Sequence, residues 1–384
     1  MAWRRLSSPP VRVHVVDPSA YTPPYDHALC AALAAQPGVE VELFTSRFAY
    51  GEVAPADGYV RHESFYRLAH RGRLGGRRSR VRLALKLAEH VPDMLRYRRA
   101  ALAADIAHFQ WLTAQPLDVH LLPRRRPASR PKLVLTAHDV LPREPRPGQL
   151  AAQRRLYGSF DAIVAHSEHG RARLVGELGV AGNRVHVIPH GAFTHIAALD
   201  DGATVGAADE GPVVLFFGLL RPYKGLSVLL EAWRGIQAPA ELWIAGMPRM
   251  ELAPLRAAAA ANVRIDPRYI PEAELPAYFR RADIVVLPYL QAEQSGVLFT
   301  ALAFGKPLLL SDVGGFPEIA ATGAARTVPA GDADALRAAL RELLEDPAAR
   351  AAMAARAREA AAGPYSWEAI AAAHVALYER LLET

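Results

Sequence analysis

Gly218-Leu-Leu-Arg-Pro-Tyr-Lys-Gly225 follows the apolar run Val213–Phe217 and precedes a helical pattern over Leu226–Trp233. That order predicts a strand, a tight loop and a helix. A glycine at the strand end lets a ligand approach the backbone closely. Pro222 restricts the loop, and Gly225 stands at the start of a helix whose free N–H groups favour an anion. Arg221 and Lys224 add two cations, one a planar fork suited to phosphate and the other a mobile point charge. Together these features describe a pyrophosphate site. The alternative is a surface loop with two solvated bases, which Arg-x-x-Lys alone would favour. The flanking strand, glycines and helix reverse that balance.

The same alternation runs through the whole chain. Strands are expected at 11–16, 39–44, 106–109, 132–136, 162–165 and 185–188, and again at 213–217, 241–245, 263–265, 284–287 and 307–310. Helical patterns lie between them, at 25–35, 81–103 and 168–178, then at 226–233, 272–281, 297–304, 334–344 and 348–361. Alternating strands and helices imply parallel sheets covered by helices. The fold class is therefore α/β, with two doubly wound, Rossmann-like domains facing across a cleft. Residues 196–211 are rich in Asp and Gly and read as a linker. The expected organisation is an acceptor-side domain over 1–195, the linker, a donor domain over 212–365 and a terminal helix over 366–384.

A chain of 384 residues, 51% apolar and 22% charged, is long enough for two ordinary globular domains. One cysteine, Cys30, allows no internal disulfide and fits a reducing compartment. The N-terminal stretch has bases but no apolar core of a signal peptide, and no run approaches the roughly 18 residues of a membrane span. A cytoplasmic location is expected. Residues 1–200 hold 28 Lys and Arg against 17 Asp and Glu, a balance of +11, while the remainder holds 17 against 22, or −5. The densest basic cluster runs from Arg71 through Arg73, Arg77, Arg78, Arg80, Arg82 and Lys86 to Arg96, Arg98 and Arg99. Its apolar members include Val81, Leu83, Leu85, Leu87, Val91, Met94 and Leu95, so it reads as a basic amphipathic segment suited to an anionic membrane surface. A solvated helix face, or a basic rim for an acidic acceptor, are the alternatives. Nucleic acid is not expected, because the bases lack interleaved aromatics.

Gly-x-x-Arg-Pro-Tyr-Lys-Gly resembles the donor-phosphate motif of the family 4 glycosyltransferases, retaining enzymes of the GT-B fold. The resemblance implies that Gly218, Arg221 and Lys224 meet the diphosphate of a nucleotide-sugar. It extends to Asp283-Ile-Val-Val-Leu-Pro-Tyr289 and the segment from Gln291 to Pro307, similar to the family's second donor-binding segment. There Ser295, Gly296 and Val297 would present helix N-terminal amides to the diphosphate, and Glu293 would hydrogen-bond the sugar. Arg268-Tyr-Ile-Pro271 resembles the wall of the nucleobase pocket, with Tyr269 and Ile270 as its surface. Thr136-Ala-His138-Asp139, at a strand end, resembles the segment carrying the cleft histidine, so His138 is expected near the transferred sugar. A loop-capping histidine and a plain strand-to-helix turn are the structural alternatives for these last two.

The pattern departs from the family at two places. Anchored on Gly305-Lys-Pro307, Thr300 stands where a second glutamate normally grips the ribose with a charge-assisted bond, and threonine offers only a neutral one. The first loop, Pro18-Ser-Ala-Tyr-Thr-Pro-Pro-Tyr-Asp26, lacks the paired glycines of many relatives, and Pro23-Pro24 should stiffen it. Tyr25 and Asp26 are placed on the acceptor side, with packing inside the fold as the alternative for Tyr25. Asp332-Ala-Asp334 mimics a metal motif but opens a helix, so N-capping is the expected role. His186 and His190 are read as structural. No metal or other cofactor is expected beyond the nucleotide-sugar co-substrate. The reading is a retaining, metal-independent, hexosyltransferase-like glycosyltransferase acting on a glycan, glycolipid or small molecule. It would be cytoplasmic, or peripheral on the inner face of the membrane. A nucleotide-sugar epimerase, another GT-B relative or a glycan-binding pseudoenzyme are the alternatives.

Overall fold

The computed structural model describes residues 9–70, 80–123, 131–141, 148–200, 211–237 and 239–383. The chain divides into two compact units, Met1–Pro189 with Trp367–Thr384, and His190–Ser366.

Unit 1 contains β1 (Val11–Asp17), α1 (Pro23–Ala34), β2 (Val39–Ser46), β3 (Val60–Phe65), α2 (Arg80–Ala100), β4 (Ile106–Phe109), α3 (Gln115–Leu121), β5 (Lys132–Thr136), α4 (Gln149–Tyr157), β6 (Ala162–Ala165), α5 (Glu168–Gly176) and β7 (Val185–Val187). Its sheet is parallel in the order β3-β2-β1-β4-β5-β6-β7. The central strands β4, β5 and β6 are apolar and almost wholly buried, as expected when helices cover both faces. The edge strand β3 was not expected. Its interior is Arg61-His62-Glu63-Ser64, and it shows too little apolar alternation to read as a strand.

Unit 2 contains α6 (Thr194–Ala197), β8 (Val213–Phe217), α7 (Leu226–Trp233), β9 (Glu241–Ala245), α8 (Ala253–Ala258), β10 (Val263–Asp266), α9 (Leu275–Arg281), β11 (Ile284–Leu287), α10 (Gly296–Ala303), β12 (Leu308–Ser311), α11 (Phe316–Ala320), β13 (Ala325–Val328), α12 (Ala333–Glu345) and α13 (Pro347–Ala362). The second sheet is also parallel, in the order β10-β9-β8-β11-β12-β13. The start of the expected linker is not free. α6 belongs to unit 2, and Arg280 donates to the carbonyls of Ala197 and Leu199 at 3.1 and 2.6 Å. Residues 201–210 of that segment lie outside the described residues.

The terminal helix α14 (Trp367–Leu382) is part of unit 1. It packs on α1, where the Trp367 and Tyr25 rings are 5.2 Å apart. Its Tyr378 hydroxyl lies 2.7 Å from His108 Nδ1, and the other nitrogen of His108 meets the Thr136 hydroxyl at 2.7 Å. Three histidines are thus enclosed around this helix: His108, His166 and His374. Burial pulls His166 and His374 down to about 4, and His108 is also pushed well below the usual imidazole range. The folded protein resists protons that the unfolded chain accepts near pH 6.5. The stability these groups contribute is complete above about pH 6.5 and is lost as pH falls toward 4. By pH 5, His166 and His374 should each remove about 2 kcal/mol relative to pH 7.5. Denaturant titrations at the two pH values should show the loss, and His374→Leu should reduce it. Unfolding free energies that do not change with pH would contradict this reading.

Candidate functional site

In unit 2 the strand order reverses between β8 and β11. Ligands of doubly wound sheets bind beyond the carboxyl ends of strands at such a point. β8 ends at Gly218, whose φ is +112°, and a Cβ there would lie 3.1 Å from Lys224 Nζ and 3.1 Å from Val297 Cγ2. The end of β8, the lysine and the first turn of α10 therefore converge on one point of bare backbone.

Pro222–Lys224 forms a single 3₁₀ turn, closed by Gly225 at φ +70°. A Cβ on Gly225 would stand 1.8 Å from the Pro288 carbonyl oxygen, so this turn packs backbone to backbone against the loop after β11. Lys224 is buried. Its ammonium donates to the Tyr289 hydroxyl at 2.7 Å and sits 4.6 Å from that ring's centre. The Tyr289 hydroxyl is in turn 3.3 Å from Ser295 Oγ. Arg221 is exposed, and among the described residues its guanidinium makes no hydrogen bond or ion pair. The two cations thus differ. One is fixed in a dry setting where its field is strong, and the other is mobile in water.

Ser295 precedes α10 but turns its hydroxyl to Tyr289 and makes no capping bond to the first turn. The N–H groups of Gly296 and Val297 belong to that uncapped turn, where a helix favours negative charge. Glu293 is buried at 9% exposure, and its carbonyl accepts from Gly315 N at 3.1 Å. Gly314, at φ +58°, leaves no room for a Cβ, which would meet the Ala292 carbonyl at 2.1 Å. The Asp312-Val-Gly-Gly315 turn therefore supports the Glu293 loop from behind. Thr300 is the position expected in place of the ribose-gripping glutamate. It is buried, and its hydroxyl donates to the Gly296 carbonyl at 2.9 Å, so its hydrogen is used within α10.

Just past β10, Ile270 is buried and Tyr269 half-buried. The Arg268–Glu274 ion pair and the Tyr278–Asp266 hydrogen bond staple this segment. Asp332 caps α12 by accepting from the N–H groups of Asp334 and Ala335 at 3.0 and 2.9 Å, and Asp334 pairs with Arg337. Among the described residues no group of three His, Cys, Asp or Glu is arranged to hold a metal ion.

Unit 1 reverses its strand order between β1 and β4. Pro23 and Pro24 do not stiffen the loop after β1; they form the first turn of α1, where a missing N–H costs nothing. The loop is shaped by Asp17 instead. Its buried carboxylate accepts from the N–H groups of Ser19, Tyr21 and Thr22 at 3.2, 2.5 and 3.3 Å, and Ala20 takes φ +49°. Asp26, expected on the acceptor side, is buried close to Asp17. Burial first, and then the Asp17 charge, push its carboxyl well above the ordinary carboxylate range. Tyr25 is also buried rather than lining a surface, packed edge-on against His138 with ring centres 4.8 Å apart.

His138 lies beyond β5, half-buried, stacked on Trp111 at 4.9 Å and 10° between planes. Gln110 and His166 hold its two nitrogens at 3.1 and 3.2 Å. Trp111, Gln110, His166 and Tyr289 were not singled out from the sequence. All four stand just past the carboxyl end of a strand, which is the signal that would have found them. His190 has a structural setting, stacked on Phe299 at 4.4 Å.

Two family models match the chain: "Glycosyltransferase Family 4" over residues 25–195 and "Glycosyl transferases group 1" over residues 211–346. A D-inositol 3-phosphate glycosyltransferase of Kineococcus radiotolerans is 28% identical, over 91% of this chain and 88% of that protein. A GDP-mannose-dependent alpha-(1-6)-phosphatidylinositol monomannoside mannosyltransferase of Mycolicibacterium smegmatis is 30% identical, over 68% of this chain and 74% of that protein. Among solved structures, the sucrose-phosphate synthase of Thermosynechococcus elongatus superposes with a TM-score of 0.76 at 21% identity, over 97% of this chain and 99% of that one. HepE of Anabaena, solved with UDP and glucose, gives 0.70 at 16% identity, over 96% and 99%. The two parallel sheets with their flanking helices are those of GT-B glycosyltransferases.

Proposed function

The chain belongs to glycosyltransferase family 4, and on that premise we propose a retaining, metal-independent transfer from a nucleotide-diphospho-sugar to a glycolipid acceptor at an anionic membrane surface. As the sugar leaves, negative charge grows on the diphosphate while the ring becomes oxocarbenium-like. Fixed cations and dipoles stabilise such charge most where water is excluded. The observation that carries the donor assignment is the convergence of Lys224 and the α10 N-terminus on the bare backbone of Gly218. Arg221 would close on the same anion from the solvent side, and the family resemblance supports a sugar-contacting role for Glu293 and, separately, for His138. The family resemblance supports same-face attack, with the leaving diphosphate taking the acceptor's proton. A panel of UDP- and GDP-sugars should include one that the protein cleaves, and cleavage should persist in EDTA. Loss of activity in EDTA, restored by Mg²⁺ or Mn²⁺, would overturn the metal-free reading.

The acceptor side of the proposal rests on α2, whose C-terminal half puts Met94 and Tyr97 into the core while its N-terminal half leaves apolar side chains outward. Val81, Leu83 and Leu87 are 58, 70 and 63% exposed, while His90 and Asp93 are buried. The polar face is used within the unit. His90 bridges Asp118 at 2.5 Å and the Tyr66 hydroxyl at 2.8 Å, Asp93 accepts from Tyr66 N at 2.7 Å, and Glu89 accepts from the N–H groups of Leu68 and Ala69. What remains outward is apolar, with Arg80, Arg96 and Arg99 beside it. Arg71, Arg73, Arg77 and Arg78 lie outside the described residues. Water is the wrong solvent for such a face, and an anionic lipid surface suits it. No described helix is long and apolar enough to cross a membrane. Each base near an anionic surface contributes about 1 kcal/mol. Vesicles containing anionic lipid should therefore co-sediment the protein at low salt. Arg80→Gln with Arg82→Gln should weaken binding about 10- to 30-fold, and Leu83→Ser with Leu87→Ser should weaken it in neutral vesicles as well. Absence of binding to anionic vesicles at low salt would leave a soluble acceptor as the better reading.

A further inference from the structure

A row of hydrogen bonds crosses four strand ends of unit 1. Gln110 follows β4, His138 lies just past β5, His166 follows β6 and Ile188 follows β7. β5 and β6 run parallel with Thr136 opposite Val164, and Ala137 N donates to the Val164 carbonyl at 2.8 Å. That register carries His138 alongside His166. The ring centres are 5.0 Å apart, and His166 Nε2 is 3.2 Å from His138 Nδ1. At one end of the row His166 Nδ1 is 3.1 Å from the Ile188 carbonyl; at the other, His138 Nε2 is 3.1 Å from the Gln110 side-chain amide.

The protons on this row follow from its fixed end. A carbonyl oxygen only accepts, so His166 Nδ1 carries a hydrogen. Burial holds His166 down to about 4, so at neutral pH the ring has one proton and its Nε2 is bare. A bare nitrogen accepts, which puts the hydrogen between the rings on His138 Nδ1. His138 Nε2 is then the nitrogen left to receive a hydrogen bond. The Gln110 amide fits this order with its nitrogen toward His138. As placed, the Gln110 atom facing His138 Nε2 is Oε1, while its Nε2 lacks a partner among the described residues; exchanging the two gives the N–H an acceptor and leaves the oxygen, which is less costly to leave unpaired, in the vacated position. Trp111 beneath the ring and Tyr25 at its edge keep the imidazole from turning.

We propose that His166 is a positioning residue, which fixes His138 as the Nδ1–H tautomer and so makes Nε2 an acceptor, held by the Gln110 amide until a sugar hydroxyl displaces it. The proposal rests on the reading of His138 as a reaction-site residue, and its test separates the two. Protein labelled with ¹⁵N-histidine should show His138, assigned by loss of its signals in His138→Gln, protonated at Nδ1 and bare at Nε2. In His166→Leu that tautomer should lose its dominance, and cleavage of the best donor from the UDP- and GDP-sugar panel should fall about 10- to 100-fold in kcat, with KM held within ~3-fold. In His166→Gln the amide oxygen can accept from His138 and the amide N–H can donate to Ile188. That variant should restore the tautomer and at least about a third of the rate. Thermal melts of both variants identify any loss of fold, and if the leucine variant does not fold, the glutamine variant decides alone. Persistence of the Nδ1–H tautomer in folded His166→Leu would overturn the proposal. So would a folded His166→Gln with the wrong tautomer or a rate no better than that of the leucine variant. If His138→Gln cleaves donor at the wild-type rate, the reaction role of His138 fails, while the tautomer measurement still judges His166.

Discussion

Lys224→Met should lower the rate of nucleotide-sugar cleavage by about 10²- to 10³-fold, equivalent to about 3–4 kcal/mol of transition-state stabilisation. Methionine keeps most of the side chain's length and apolar stem, so the turn before Gly225 should still pack. What is lost is a charge that Tyr289 and its own turn hold in place. In that dry setting water cannot replace it when the diphosphate departs. Arg221 is exposed, and its contribution is screened by solvent and salt. Arg221→Ala should therefore cost less, about 10-fold at low salt, and its effect should shrink as salt rises. The order of the two effects is the informative outcome. If both folded variants keep the wild-type rate, the diphosphate does not sit on this loop.

Gly225→Ala should destabilise unit 2 by about 3–5 kcal/mol. Two causes add. The backbone is left-handed at φ +70°, and the new Cβ would stand 1.8 Å from the Pro288 carbonyl oxygen. The carbonyl belongs to the loop between β11 and α10, so relief of the clash must separate Lys224 from Ser295. Gly331 is the internal control. It has φ +81°, but the nearest atom a Cβ would meet is Leu290 Cδ2 at 3.7 Å. Gly331→Ala should then cost only the left-handed penalty, about 1–2 kcal/mol. Denaturant unfolding of the two variants measures the difference. Equal costs would mean that the backbone contact at Gly225 is not as close as described.

The strand, turn and helix around Gly218–Gly225 were legible in the sequence because each part is local. The run Val213–Phe217 is apolar enough to be a buried strand, and Arg221, Pro222, Lys224 and Gly225 act within one turn of each other. Two of the four edge strands were not legible. β3 and β13 bury little, and their interiors are polar enough to pass for loops. The role of Asp17 was hidden for a different reason. A carboxylate that gathers three N–H groups looks like any strand-end aspartate until the turn exists, and Asp26 looks solvated until Asp17 is seen beside it. His138 could be read from its strand end, whereas its pairing with His166 depends on the register of β5 against β6, which neither segment specifies alone. In α2 the periodicity marked a basic amphipathic helix, whose enclosed side chains are His90, Asp93, Met94 and Tyr97. Which side faces inward is decided by Tyr66 and Asp118, residues far off in the sequence. Thr300 was placed by alignment to a glutamate, and alignment says nothing of a hydroxyl turned back to its own helix.

Calorimetric titration of UDP, UMP, GDP and GMP into the wild-type protein and into Lys224→Met tests the central claim most directly. If Lys224, Arg221 and the first turn of α10 form a diphosphate clamp, one nucleoside diphosphate should bind at least about 10-fold more tightly than its monophosphate, a difference of about 1.4 kcal/mol. That preference should largely disappear in Lys224→Met. A diphosphate and monophosphate that bind the wild type equally well, or a preference that survives intact in the folded variant, would contradict the account.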